Sequence, residues 1–265
     1  LPTKRLLEKL LDFNLKDKID AVIFDVDGVL IDVRPSYHKA IYETFKHYTG
    51  KDLKKEDFIF VKKKAGINND WESSSVLILM ALGYITKEEA LQYTTNQTYI
   101  QQKIFNNPYF DYNELVDIFE AFYRKFRENE ILLLDKSFLK ALKKNYKTGI
   151  VTGRPKDDLI FSLKLFGIED IFDFVVDDDY TDDKTKRKPS KEALKYCVDA
   201  ICKKGGVYIG DTISDIMMTK HYNDSYKPYV YYIHCNFYNE ENTTLPKEYI
   251  YATVKFQKEL EDLLL

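Results

Sequence analysis

Ala21-Val22-Ile23-Phe24-Asp25-Val26-Asp27-Gly28 is the stretch on which the fold turns. Four apolar residues in succession match a strand covered on both faces, as in a parallel sheet. The run stops abruptly at two carboxylates and a glycine. Comparable runs follow at residues 148–151, 172–176, 207–209 and 229–234. The first three of these end at Thr152-Gly153-Arg154, at Asp177-Asp178-Asp179 and at Gly210-Asp211-Thr212. Helix-period segments at 137–144, 156–166, 190–202 and 213–221 lie between them. This alternation predicts an α/β fold, a doubly wound parallel sheet with right-handed crossovers. The polar clusters fall at the carboxyl ends of the strands, where open α/β sheets bind ligands.

Residues 33–132 break the alternation. They carry helical patterns at 37–48, 73–82, 87–106 and 113–129 and no convincing strand pair. The expected organisation is therefore a core of residues 1–32 and 133–265 with an all-helical cap domain, 33–132, inserted after the first strand. Leu6, Leu7, Leu10 and Leu11 at helical spacing make residues 1–20 an amphipathic docking helix rather than a signal peptide.

Composition narrows the function classes. The chain has 265 residues, 45% apolar and 31% charged, enough to bury a core. A net charge of -3 leaves no basic footprint for nucleic acid or an anionic membrane. No apolar run reaches the roughly 18 residues of a spanning helix. Three cysteines, Cys197, Cys202 and Cys235, without metal-like spacing, argue against a disulfide framework and fit a cytoplasmic location. The four histidines also lack metal-like spacing and read as surface or structural residues.

The chemistry is carried by the strand ends. Residues two apart on an extended chain point the same way, so Asp25 and Asp27 share one crevice. One carboxylate can attack phosphorus while the other gives a proton to the leaving oxygen. Charges so close need a cation or a shared proton, and Mg2+ suits such oxygen ligands. Gly28 permits a sharp turn after the pair. Taken alone, the pair also reads as a solvated turn. Asp211 ends another buried strand, and Asp215 lies one helical turn on, so both could face the metal; a helix N-terminus that favours acids is the plainer alternative. Thr152 and Gly153 form either a phosphate-oxygen cradle or a helix cap. Lys188 would bring positive charge to a transferring phosphoryl group, or is a surface lysine.

The ordered set DxDG, TGR, KP and GDTxxD, which runs from Phe24–Asp32 through Val151–Pro155 and Lys188–Ser190 to Ile209–Asp215, resembles the haloacid dehalogenase superfamily over nearly the whole chain. The helical insertion resembles the branch that includes phosphoglycolate phosphatase and β-phosphoglucomutase. The resemblance implies a Rossmann-like core and an aspartyl-phosphate on Asp25, with Asp27 as general acid and then activator of water. It implies that Thr152 and Lys188 hold phosphoryl oxygens. Mg2+ would bind Asp25, the carbonyl of Asp27 and Asp211, with Asp215 reaching it from an outer shell.

The expected function is Mg2+-dependent hydrolysis of a small phosphorylated metabolite by a monomer or homodimer. A phosphomutase and a non-catalytic phosphate-binding module are the alternatives. Arg154, beside the cradle, is expected to meet an anionic group of the substrate; Arg34 either does so or forms an interdomain salt bridge. In the insertion, Gly66-Ile67-Asn68-Asn69-Asp70-Trp71 resembles a stretch of an archaeal-type subgroup of the superfamily. Asn69 and Trp71 are candidate substrate contacts there, or else a helix cap and a packed indole. Residues 226–232, rich in tyrosine, read as a buried strand on the edge side of the sheet or an aromatic patch for dimerisation.

Overall fold

The computed structural model describes residues 14–67, 69–239 and 245–265. The expected helix at residues 1–20 falls largely outside them. Its described end is a single 3-10 turn, Leu15–Lys18, capped by the Asn14 side chain.

The chain divides into two compact units, one built from residues up to Asp32 and from Leu132 onward, the other from Val33–Ile131. The strands, in chain order, are β1 (Ala21–Phe24), β2 (Ile31–Asp32), β3 (Ile131–Leu132), β4 (Lys147–Val151), β5 (Phe174–Val176), β6 (Gly206–Gly210), β7 (Val230–Cys235) and β8 (Ala252–Val254). Six of them form one parallel sheet in the order β5-β4-β1-β6-β7-β8. The chain builds outward from β1 on one side through β4 and β5, and on the other through β6, β7 and β8. That is the doubly wound α/β arrangement, with its switch point at β1.

Every residue of β1 is fully buried, which explains the unbroken apolar run. Phe24 is in register with Ile150 on one neighbour and Ile209 on the other. The three central strands therefore end nearly flush, and Asp25, Thr152 and Asp211 emerge along one edge of the sheet. Ala193, Leu194, Cys197 and Val198 of the helix Lys191–Ile201, and Ile216, Met218 and Tyr222 of the helix Ile213–Ser225, join Ala21, Ile23 and Tyr208 in one buried cluster. Burial of this kind contributes about 25 cal/mol per Å² of apolar surface, so the edge that carries the polar residues stands on a rigid base.

Two expectations about this unit change. β8 was not legible, being three residues long, and it leaves β7 inside the sheet rather than at its edge. The four tyrosines of this region differ in environment: Tyr232 is buried in the cluster, whereas Tyr229 is exposed and in ring contact with Tyr231. No helix among the described residues is long and apolar enough to cross a membrane.

The second unit is helical, with Lys39–Thr49, Asp70–Ala81 and Tyr112–Phe126 as its long elements. Tyr37 stacks on Tyr123 at 4.1 Å between ring centroids, and the buried Glu130 accepts a hydrogen bond from Ser36. The continuous helix expected at 87–106 is instead broken into Lys87–Ala90, a 3-10 turn Leu91–Thr94, and Gln97–Phe105. Thr95-Asn96 is poor helix material, since short polar side chains compete for backbone hydrogen bonds, as the Thr95 hydroxyl does with the Gln92 carbonyl. A short helix, Lys55–Ile59, was not anticipated.

Glu89 ties the broken segment together. It accepts from Lys103, from the Thr86 backbone at 2.8 Å and from the Tyr99 hydroxyl at 2.7 Å. These bonds, led by that from Lys103, lower its carboxyl from an ordinary 4.5 to about 2. A carboxylate with a depressed native value stabilises the fold above its unfolded value and loses that contribution as pH falls through the native one. The helical unit is therefore expected to weaken between pH 4.5 and about 2. Glu89→Gln should flatten that acid limb in thermal unfolding followed at several pH values; an unaltered limb would mean that Glu89 does not set it.

Candidate active site

The loop after β1 turns back on itself. The Val26 carbonyl accepts from the amides of Leu30 and Ile31, and the Gly28 amide donates to Ile31 at 2.8 Å. Gly28 has φ +76, and a Cβ at this position would land on the Asp211 carboxylate. Both the left-handed backbone and the close approach require glycine. Gly210 is similarly restricted, because a Cβ there would lie 2.7 Å from Cβ of Asp215.

Lys188, from the loop before the helix Lys191–Ile201, reaches to the end of β1. Its Nζ lies 2.7 Å from Asp25 Oδ2 and 2.7 Å from Asp215 Oδ1. Asp25 and Asp215 are buried, and the Lys188 side chain is largely covered. Asp215 is saturated by protein donors: Oδ2 accepts from the Thr212 hydroxyl at 2.6 Å and the Thr212 amide at 3.0 Å, closing a capping box on the helix Ile213–Ser225. Its Oδ1 takes Lys188 and the Tyr208 hydroxyl, the latter at 3.1 Å. The Lys188 ammonium also lies 5.8 Å from the centroid of the Tyr208 ring.

Burial is the largest influence on these groups, and the partners decide its outcome. It pushes the Asp25 carboxyl up to about 7, with Asp215 and Asp27 adding to the rise and Lys188 opposing it. Asp211 is raised well above the usual carboxylate range by burial and by the nearby Asp25 and Asp215. At Asp215 burial is outweighed by Lys188 and by the bonds from Thr212, and the carboxyl is lowered. Burial would lower Lys188, but Asp215 and Asp25 keep it firmly protonated.

Asp25, Asp211 and Asp215 can each offer a carboxylate oxygen within 4.8 Å of the others. Lys188 brings one positive charge to this cluster. Asp211 Oδ1 is buried and has no hydrogen-bond partner, a costly condition for an oxygen of this kind. An oxygen-only donor set, excess negative charge and an orphaned carboxylate oxygen fit a hard divalent cation.

The remaining expected residues divide. Thr152 is buried at the end of β4, its amide donating to the Val176 carbonyl and its hydroxyl accepting from the Arg154 amide at 3.2 Å. It is not the helix cap, because the helix Lys156–Phe166 begins after Pro155. Gly153 is exposed, with open space where a side chain would be. Arg154 departs from expectation. Its guanidinium is turned away from solvent, with Nε 2.8 Å from Asp27 Oδ1 and a further hydrogen bond to Ser162. Its side chain is among the most buried of the large residues described.

Asn69 and Trp71 lie in the helical unit. Asn69 caps the helix Asp70–Ala81, accepting from Glu72 at 2.9 Å, and the Trp71 indole donates to Glu120 at 2.9 Å. Asn68 lies outside the described residues. Tyr208, Thr212 and Ser162 were missed in the sequence. For Tyr208 there was a usable signal: a tyrosine within a fully buried strand needs a partner for its hydroxyl.

A parallel sheet with a carboxylate-lysine cluster at the carboxyl edge of its switch point defines a Rossmann-like enzyme class that works with acidic groups. The family model described as haloacid dehalogenase-like hydrolase matches residues 19–222, and the chain belongs to that family of hydrolases. Pyrophosphatase PpaX of Bacillus velezensis is 27% identical over 211 residues, 77% of this chain and 79% of that protein. Imidazoleglycerol-phosphate dehydratase of Phytophthora nicotianae is 29% identical over 207 residues, 75% of this chain but 40% of that protein, so the chain spans less than half of it. Among solved structures, phosphatase Tt82 from Thermococcus thioreducens superposes with a TM-score of 0.62 at 26% identity, covering 81% of this chain and 92% of that one.

Gly28→Ala is expected to displace the Asp211 carboxylate. The backbone strain alone should cost about 1–3 kcal/mol, read as a lower urea midpoint, and divalent-cation binding by calorimetry should weaken with it. An unchanged midpoint and affinity would contradict the turn geometry.

Proposed function

We propose that this chain is a Mg2+-dependent phosphatase that hydrolyses a small phosphorylated molecule through an aspartyl-phosphate on Asp25. The observation that carries this reading is the buried Asp25 carboxylate sharing Lys188 with Asp215, 2.7 Å from each, beside the orphaned oxygen of Asp211. Membership of a hydrolase family and the likeness to a named phosphatase and to PpaX support it.

In the first half-reaction an oxygen of Asp25 attacks phosphorus, the bond from phosphorus to the leaving oxygen breaks, and Asp27 gives that oxygen a proton. In the second, Asp27 takes a proton from water, the water oxygen attacks phosphorus, and the bond to Asp25 breaks to restore the carboxylate. Lys188 keeps a positive charge beside the nucleophile and next to the incoming phosphoryl oxygens. Thr152, whose hydroxyl lies at the adjacent strand end, and Gly153, with its exposed backbone, hold further phosphoryl oxygens.

Asp25, Asp211 and the Asp27 carbonyl would hold Mg2+. Asp215, already saturated by Thr212, Lys188 and Tyr208, would act behind them by fixing Lys188 and the Asp211 loop. When bound, the ion would offset the negative charge of the carboxylates and of the phosphoryl group.

Phosphate release from a panel of phosphorylated metabolites, pyrophosphate and p-nitrophenyl phosphate is expected with Mg2+ and is expected to stop with EDTA. Asp25→Asn should lower turnover by about 10⁴-fold or more, the scale lost with a covalent nucleophile, while circular dichroism stays unchanged. Near-normal turnover in that variant would exclude the covalent route. A folded, Mg2+-loaded wild-type chain that releases no phosphate from any member would exclude the phosphatase reading.

A further inference from the structure

Arg154 is one of the largest fully buried side chains in the chain, yet it directly follows the exposed Gly153 at the end of β4. Its side chain is 1% exposed, whereas that of its partner Asp27 is 38% exposed. The ion pair thus joins a buried guanidinium to a carboxylate that reaches the surface. The guanidinium is anchored from behind: one terminal nitrogen donates to Ser162, itself fully buried and donating onward to the Asp158 carbonyl at 3.1 Å. The Arg154 backbone is held as well, its amide by the Thr152 hydroxyl and its carbonyl by the Asp178 amide at 2.9 Å. A planar fork held at several points offers its Nε in one direction, which a lysine on a flexible stem would not do.

We infer that Arg154 is a positioning residue for Asp27: it clamps Oδ1 so that the carboxyl group meets the leaving oxygen, and then water, in one orientation. This rests on the phosphatase reading, in which Asp27 handles the proton. It reassigns Arg154 from a contact with the substrate to a support of the general acid. It also predicts a dependence on the leaving group that a merely structural arginine would not produce. Proton delivery matters most when the leaving oxygen is strongly basic and least when it departs readily as an anion. Loss of the clamp should therefore be felt selectively.

The test uses the full chain with Mg2+ and a series of substituted phenyl phosphates running from p-nitrophenyl to unsubstituted phenyl. With Arg154→Met, kcat/KM is expected to fall about 10- to 100-fold on phenyl phosphate, part of the 10²–10⁴ that general acid catalysis contributes. On p-nitrophenyl phosphate the fall should be under about threefold, so that dependence on leaving-group pKa steepens. Arg154→Lys should recover only part of the loss. In an Asp27→Asn background, Arg154→Met should add little, because the group it positions no longer carries the proton. Ser162→Ala, which removes one anchor and leaves the ion pair, should steepen the series in the same direction by a smaller amount, and it serves if Arg154→Met does not fold.

Equal losses across the whole series in the folded variants, or full additivity with Asp27→Asn, would overturn the inference and leave Arg154 as a structural strut. If the wild-type chain hydrolyses neither this series nor any member of the metabolite panel, the phosphatase reading fails and this inference fails with it. A wild-type chain that hydrolyses the series, with an unchanged slope in the variants, sinks the inference alone.

Discussion

The ammonium of Lys188, held between Asp25 and Asp215, is the interaction on which the rest of the site depends. Three carboxylates, Asp25, Asp211 and Asp215, are brought within 4.8 Å where water is largely excluded. Without a buried cation, desolvation and mutual repulsion would protonate them or drive them apart. Lys188 neutralises part of that charge and is itself kept protonated by it. The division of labour follows. Asp215 gives its oxygens to Lys188, Tyr208 and Thr212, while Asp211 keeps an oxygen with no protein partner. One acid holds the arrangement together and the other is left for a ligand.

The sheet makes this cluster possible by register rather than by side-chain packing. Because β1 pairs in parallel with β4 and β6, and Phe24 sits level with Ile150 and Ile209, the next residues of all three strands arrive at the same edge. A slip of one residue in either pairing would turn the alternating side chains to the wrong face. Gly28 and Gly210 then let the loops approach closely enough for the carboxylates to meet. Behind the cluster, Tyr208 fills the space with an aromatic ring beside Lys188 and a hydroxyl shared between Asp215 and the Val151 carbonyl.

A second buried cation, Arg154, stands at the end of β4 and pairs with Asp27. Lys188 and Arg154 thus divide the two acids of the first motif between them. Lys188 touches Asp25, the nucleophile of the proposed mechanism, and Arg154 touches Asp27, its proposed proton carrier. Their shapes suit these places, since a compact ammonium fits between two carboxylates and a planar guanidinium fixes one orientation.

The residues of the site were legible from the sequence because their signal is local. Apolar runs stopped by acids, hydroxyls and glycines mark strand ends, and the order DxDG, TGR, KP and GDTxxD tied four such ends to one chemistry and one parallel sheet. The helix Lys156–Phe166 was legible to its end residues for the same reason. Elements governed by competition between local and tertiary preferences were not. The three-residue β8 carries too short a pattern, and the break at Thr95-Asn96 pits weak helix formers against a long periodic segment. What the sequence by itself determined was which residue types stand at which strand ends, since period and composition are properties of neighbours along the chain. The tertiary structure alone decided their partners: Arg154 facing Asp27 across 127 positions of sequence, Tyr208 beneath Lys188, and Asp215 saturated while Asp211 is left open. Burial and hydrogen-bond saturation depend on what the fold brings from elsewhere, and no local pattern carries that information.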